Sequence, residues 1–367
     1  MSLGATQHVH RPPEPSRVKA FLRSCVCSPS NALLTAVLLI LLAMTVPAFV
    51  RWSLLDAVWS GDSSKACAGV DAACWLFVRV RFDQIIYGPY PPPERWRIFV
   101  AAILGLAGIG LTAAPQIKQK TLLAAYLLLI YPLVAGILLC GGILGLAPVP
   151  TRDWGGLMLT CAVAVWTIGT SVLAGLALAL ARRSSLPVVS WAAAAFIDLM
   201  RGLPLIGVLF FAIVMFPFFV PPGVEIDKLL RALIAFTMFD AAVLAEVFRG
   251  GLQAVPSAQG EAAIALGLRH WQAMLLVVIP QAVTNALPGI VNVCVVVVKE
   301  TVIVLIVGLF DFLYILQNGV IDPDWLVGDQ IRATAYLFAG LVFWTICFSI
   351  SRYGAHLENR LNAGRLH

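Results

Sequence analysis

The chain has 367 residues, 60% of them hydrophobic and 12% charged, where an ordinary soluble domain carries about a quarter charged residues. That composition excludes a soluble globular protein and leaves a polytopic membrane protein. The net charge of +6 comes without an aromatic-interleaved basic stripe, so no nucleic-acid partner is expected; it reads as loop orientation and attraction to anionic membrane lipids.

An apolar run of roughly 18 or more residues crosses a hydrocarbon core of about 30 Å, and without water at that depth the crossing must be helical. The sequence predicts eight such helices, near 32–50, 98–114, 122–147, 157–181, 191–220, 230–249, 272–297 and 333–351. Ahead of them, residues 1–30 read as a flexible cytoplasmic tail with Pro12, Pro13 and Pro15; its His8 and His10 are too few for a metal site. Lys19 and Arg23 precede the first run as they would in a signal peptide, but its length and late position predict a retained anchor. Eight crossings put both termini on one side. Loops bearing Lys118 and Lys120, Arg182 and Arg183, and Arg249 and Arg269 then share the side of the basic N-terminus, the cytoplasm by the positive-inside rule.

Between the first and second runs lies the polar segment 51–97, which this topology places in an oxidising compartment. Its Cys67 and Cys74 are a candidate disulfide, the bridged and reduced forms being equally open on sequence alone. The stretch FDQIIYGPYPPPERWR at 82–97 is expected to cap the membrane surface, where Tyr and Trp rings favour the interface. Cys140, Cys161, Cys294 and Cys347 fall inside apolar runs and read as small lipid- or core-facing residues, while Cys25 and Cys27 are too few for zinc. The character changes near Thr151. The expected division is a tail 1–30, a membrane region 31–150 with three helices, a membrane domain 151–355 with five, and a cytoplasmic tail 356–367.

The second half carries charge at membrane depth, which is costly enough to need a reason. Glu246 beside Arg249 reads as a helix-end residue reaching the headgroups. Asp240 and the neighbours Lys299 and Glu300 read either as structural pairs, including pairs with other chains, or as contacts along a solute path. Arg201, Gly202, Leu203 and Pro204 form a turn into the fifth span with Pro204 starting a helix, a gating or packing element, and Pro217, Pro221 and Pro222 mark the far end of that span. The loop RGGLQAVPSAQGEAAIALGLRHW at 249–271 is too polar at its start for lipid. It predicts a short helix with Ser257 as N-cap, Glu261 near the positive end of the dipole and Gly267 as terminator. Ala262, Ala263, Ala265 and Leu266 would suit a groove on a cytosolic partner or the inner leaflet, and the residues alone leave both open.

The offsets Glu261, Ala262, Ala263, Gly267, then Val277, Ile279 and Pro280, resemble the EAA loop of bacterial ABC-importer permeases. TRDWGGLMLT at 151–160, DLMRGLPLIGVLFF at 198–211, LAEVFRGGLQAVPSAQGEAAIALG at 244–267 and KETVIVLIVGLFD at 299–311 extend the likeness in order and spacing. Residues 151–355 thus look like a polar amino-acid importer permease, and the whole chain is similar to the M-type permeases of general L-amino-acid transporters. The resemblance implies an all-α, type I ABC-importer permease fold in the bacterial inner membrane, with Glu261 through Gly267 as the coupling helix. It implies four partners: a cytosolic ATPase dimer, a second related permease subunit, a periplasmic amino-acid-binding protein and the L-amino acids themselves.

The chain has no phosphate-cradling GxxxxGK[ST] loop, so no cofactor is expected on it; ATP and Mg belong to the partner, and the chain is a transport subunit rather than an enzyme. By the same resemblance Lys299, Glu300 and Thr301 are the first candidates for solute contact. A small hydroxyl residue is usual in place of Asp240, so its carboxylate bears on substrate range. Two competing classes are an ion-driven secondary transporter using Asp240 and Glu300, for which no inverted repeat is visible, and a membrane scaffold holding a cytosolic protein at the loop helix.

Overall fold

The computed structural model describes residues 24–114, 120–306, 308–326 and 328–363. His8, His10, Pro12, Pro13, Pro15, Lys19, Arg23 and Lys118 lie outside them. A chain this apolar satisfies its backbone at depth only within helices, and among the described residues every regular element is helical.

Helix α1 (Pro29–Val50) opens on Ser28, whose hydroxyl accepts the Asn31 N–H at 3.2 Å. Short helices α2 (Trp75–Val80) and α3 (Phe82–Tyr87) follow, then α4 (Trp96–Ala113). Helix α5 (Lys120–Ala125) runs through a π-helical turn into α6 (Tyr131–Cys140). Next come α7 (Gly156–Arg182), α8 (Pro187–Gly202), α9 (Leu205–Phe210) and α10 (Lys228–Gln253). The chain ends with α11 (Ser257–Ala265), α12 (His270–Ala273), α13 (Ile279–Glu300), α14 (Phe312–Val320) and α15 (Asp329–Ala363). The last helix keeps residues 356–363 of the expected tail helical.

Among the described residues five continuous helices are long and apolar enough to cross a membrane: 29–55, 92–112, 156–182, 270–305 and 329–361. A sixth candidate is the pair 187–202 and 205–219, over the expected span 191–220, which is bent by 103° at the turn expected at residues 201–204. The cause is local. Pro204 disfavours helical backbone at Leu203, which is extended at φ −95 and ψ 146, and Pro204 itself offers no amide. The remaining two predicted spans correspond to α5–α6, whose apolar stretch is the shorter Tyr126–Cys140, and to α10, 26 residues long but bearing Lys228, Arg231, Asp240, Glu246 and Arg249.

Helix α10 is the centre of the bundle, packed against α7, α8 and α13. Small residues let these backbones approach, as membrane helices require when apolar burial gives no net drive. A Cβ at Gly251 would lie 2.4 Å from the Ala282 carbonyl oxygen, so α10 and α13 touch there with no room for a side chain. By contrast α1 has no buried residue; only the turn beyond it is held, by Trp52 donating to Gln330 at 2.7 Å and Trp75 donating to the Ser53 carbonyl at 2.7 Å.

At the end of the bundle where α1 finishes, Cys67 and Cys74 are joined by a disulfide with Cα atoms 5.9 Å apart. The segment around it shares one apolar core with α14 and the start of α15. Phe77, fully buried, meets Trp325 edge-on at 5.2 Å and packs with Phe312, Leu316 and Ile331. The Cys74 N–H donates to Thr334 Oγ1 at 2.9 Å, and Arg81 pairs with Asp322.

Asp311 caps α14 in this region, outside the spanning segments. Its carboxylate accepts the Tyr314 and Leu313 N–H groups at 3.0 and 3.3 Å. Burial nevertheless pushes its carboxyl up to about 6 from an ordinary 3.8, outweighing the backbone donors. Between those values the folded chain keeps a proton that the unfolded chain has released, so stability from this group is complete below about 4 and declines as pH rises to about 6. Asp311→Asn should flatten that decline in thermal unfolding of the detergent-solubilised protein; an unchanged pH profile would remove Asp311 as its cause.

Candidate functional site

Pro256 ends the continuation of α10 and serves as the N-cap of α11, with φ −59 and ψ 136. This corrects two expectations. The cap is Pro256 rather than Ser257, since proline's fixed φ suits the extended cap position and makes Ser257 the first helical residue; Glu261 is consequently mid-helix, beyond the first turn where the dipole acts. The other end is as expected in type. The N–H of Gly267 donates to the Ile264 carbonyl at 2.9 Å and that of Leu268 to the Ala263 carbonyl at 3.2 Å, a Schellman motif. Gly267 has φ +88 and open space around its Cα, so the backbone angle, not crowding, calls for glycine.

One side of α11 faces its own chain. Ala263 is 4% exposed, the helix packs on the π-helical turn Met274–Val278, and Gln281 Nε2 donates to Gln259 Oε1 at 3.4 Å. Pro280 is the second residue of α13, directly after the π-helical turn Met274–Val278. The other side is open: Glu261, Ala262 and Ala265 are exposed, and Leu266 is 86% exposed. Small residues with one large apolar side chain make a surface that a groove can take in.

Next to α11, Glu246 gathers arginines from three helices. Its carboxylate lies 2.5 Å from Arg182 of α7, 2.7 Å from Arg249 of α10 and 3.9 Å from Arg201 of α8, and Arg182 is also 3.8 Å from Asp198. Glu246 is therefore an internal hub rather than a side chain reaching headgroups alone. Arg201 arrives there from the bend, Gly202 has open space, and Pro204 is the N-cap of α9 rather than a helical residue. The sequence reading used Arg182 only for orientation; a basic residue closing one span and an acid near the end of a later one were the available signal.

The four candidate path residues are not gathered into one site. Asp240 on α10 is 1% exposed, and Glu300, the last residue of α13, is half-buried. Lys299 is exposed on another face, as it must be when successive helical residues point roughly 100° apart. Among the described residues no ion pair joins Lys299 to Glu300, so the anticipated neutralisation between them is not seen. Thr301 is fully buried and donates to the Val298 carbonyl at 2.7 Å, so its hydroxyl is spent on its own helix.

A left-handed backbone angle costs an L-residue about 1 kcal/mol. Gly267→Ala should therefore loosen the end of α11 by about that amount, seen as faster hydrogen exchange at amides 267 and 268. Unaltered exchange would show that the Schellman turn does not hold this end.

Residues 171–363 match the family described as binding-protein-dependent transport system inner membrane component. The chain is 41% identical over 360 residues to the inner membrane amino-acid ABC transporter permease protein YhdY of Escherichia coli (strain K12), covering 96% of this chain and 97% of that one. It is 34% identical over 416 residues to the glutamate/glutamine/aspartate/asparagine transport system permease protein BztC of Rhodobacter capsulatus, covering 94% and 93%. The glutamate/aspartate import permease protein GltK of Escherichia coli O157:H7 is 32% identical over 210 residues, 56% of this chain and 91% of its own. Among solved structures, the crystal structure of an amino acid ABC transporter with histidines is 29% identical, with TM-score 0.47, over 56% of this chain and 92% of that chain.

Proposed function

The chain belongs to the family of binding-protein-dependent transport system inner membrane components, as a permease subunit of an ABC amino-acid importer, and from that premise we propose how it is driven and what surrounds it. The open face of α11, from Glu261 to Gly267, seats in a groove of the cytosolic ATPase, and closure of that ATPase is passed to the spans. The observation that carries this reading is the asymmetry of α11. Ala263 locks one side to the protein's own bundle while Leu266 stands 86% exposed on a helix whose end is fixed by Gly267. A helix lying on lipid needs no such rigid backing.

ATP and Mg act on the ATPase, and this chain supplies the motion and the path. A sibling permease completes the path, a periplasmic binding protein delivers L-amino acids, and both termini of this chain are cytoplasmic. The last point is supported by the disulfide, which belongs in an oxidising compartment, at the end of the bundle where α1 finishes. Residues 31–150 serve as anchor and cap, and residues 151–355 as the transport domain, with the bend at Arg201, Gly202 and Pro204 as the element free to adjust during alternating access.

Glu261→Lys, in the complex reconstituted with its ATPase, sibling permease and binding protein, should leave insertion intact. ATP-dependent amino-acid uptake should fall by more than about tenfold, the equivalent of about 1.4 kcal/mol of lost coupling. Full uptake by the variant would overturn the assignment of α11.

A further inference from the structure

Away from α11 and the arginines of Glu246, a cavity of about 570 Å³ lies between α4 and α6 of the first half of the chain and α7 and α10 of the second. Among the described residues no side chain of α8, α9 or α13 lines it. Packed interiors keep few voids larger than a water molecule, because a wall without neighbours forfeits its dispersion contacts. Leu133 and Ile137 of α6 and Leu230 of α10 line the cavity and are exposed, so it opens on the surroundings of the bundle rather than closing on itself.

Its length and polarity match one leaflet of a bilayer. The lining advances nine residues from Leu157 to Trp166 along α7, and nine from Cys140 back to Tyr131 along α6. At 1.5 Å per residue that is roughly 14 Å, about half of a hydrocarbon core of about 30 Å. Of the lining residues Asp227 alone is charged, and it stands at one end, just before α10 begins. Its oxygens are spent on the chain itself, accepting from the Thr151 hydroxyl and from the Leu230 N–H at 2.9 Å. Trp154 lines the cavity close to the start of α7, at this same end, and its indole N–H is buried with no acceptor among the described residues. A buried indole N–H ordinarily finds a partner.

We propose that this cavity holds one acyl chain of a membrane glycerophospholipid, with the ester carbonyl accepting the Trp154 N–H. The bound chain completes the packing of the first membrane region on the transport domain. The class of ligand follows from the shape: an apolar slot of one leaflet's depth, open to the side, with a free donor at its polar end, suits a fatty chain that terminates in an acceptor. A water-soluble solute would need several convergent polar groups to fix it, and here the free ones reduce to a single indole.

The test is photocrosslinking of the purified complex in detergent with an ester-linked phosphatidylethanolamine bearing a diazirine in one chain, the labelled residues being mapped by peptide mass spectrometry. Labels should concentrate on Leu133, Ile137, Leu157 and Cys161, above the level on α1, which has no buried residue and reports ordinary lipid contact. Unlabelled ester phosphatidylethanolamine should compete about fivefold better than its ether-linked analogue, as one net hydrogen bond does. In Trp154→Phe the two should compete equally. Ala162→Phe, which sets a ring into the cavity, should clear the cavity labels and leave those on α1. Cavity labelling no higher than that of α1, equal competition by ester and ether lipid on the native protein, or palmitate competing as well as the ester lipid would each overturn the proposal. The ester and ether comparison uses the native chain, so it decides even where Ala162→Phe fails to insert.

Discussion

The contact on which the arrangement turns is the grip of Glu246 on Arg182, Arg201 and Arg249. One carboxylate joins the close of α7, the bend after α8 and the last turns of α10, about two turns before α10 ends. An acid in this position is tolerable only because its charge is matched on several sides, and removing any one partner leaves the others in excess. The consequence is mechanical. Through these ion pairs α10, which leads to α11, is tied to the helix before the 103° bend and to the long span beside it.

Much of this was legible in the residues. The long apolar runs mark the spans because a bilayer leaves no other use for them, and the prediction of 157–181 differs from α7 by one residue at each end. The sequence also marked the position of α11 and its glycine terminator, because a φ of +88 is a backbone demand that residue type expresses directly. What was not legible depended on neighbours. Hydropathy could not distinguish a straight span from two halves meeting at Pro204, since both halves are equally apolar. Adjacency in sequence made Lys299 look like the partner of Glu300, whereas helical geometry sends them to different faces. The cap of α11 was misplaced by one residue because serine is the better capping side chain but proline the better cap backbone.

Shorter relatives such as GltK align with 56% of the chain, whereas YhdY and BztC align with 96% and 94% of it. Its disulfide-bearing segment does not stand apart. Phe77 and Trp325, Cys74 and Thr334, and Arg81 and Asp322 knit it to α14 and the head of α15, elements that follow the last transport span or begin the next. That end of the bundle is thereby made a single rigid plate.

Leu266 has one more implication. A leucine left 86% exposed in an aqueous loop favours association by roughly 2 kcal/mol once covered, which makes the unassembled subunit adhesive toward any apolar groove that it meets. Burial of Leu266 on assembly would therefore contribute to holding the subunits together without any change in the rest of α11.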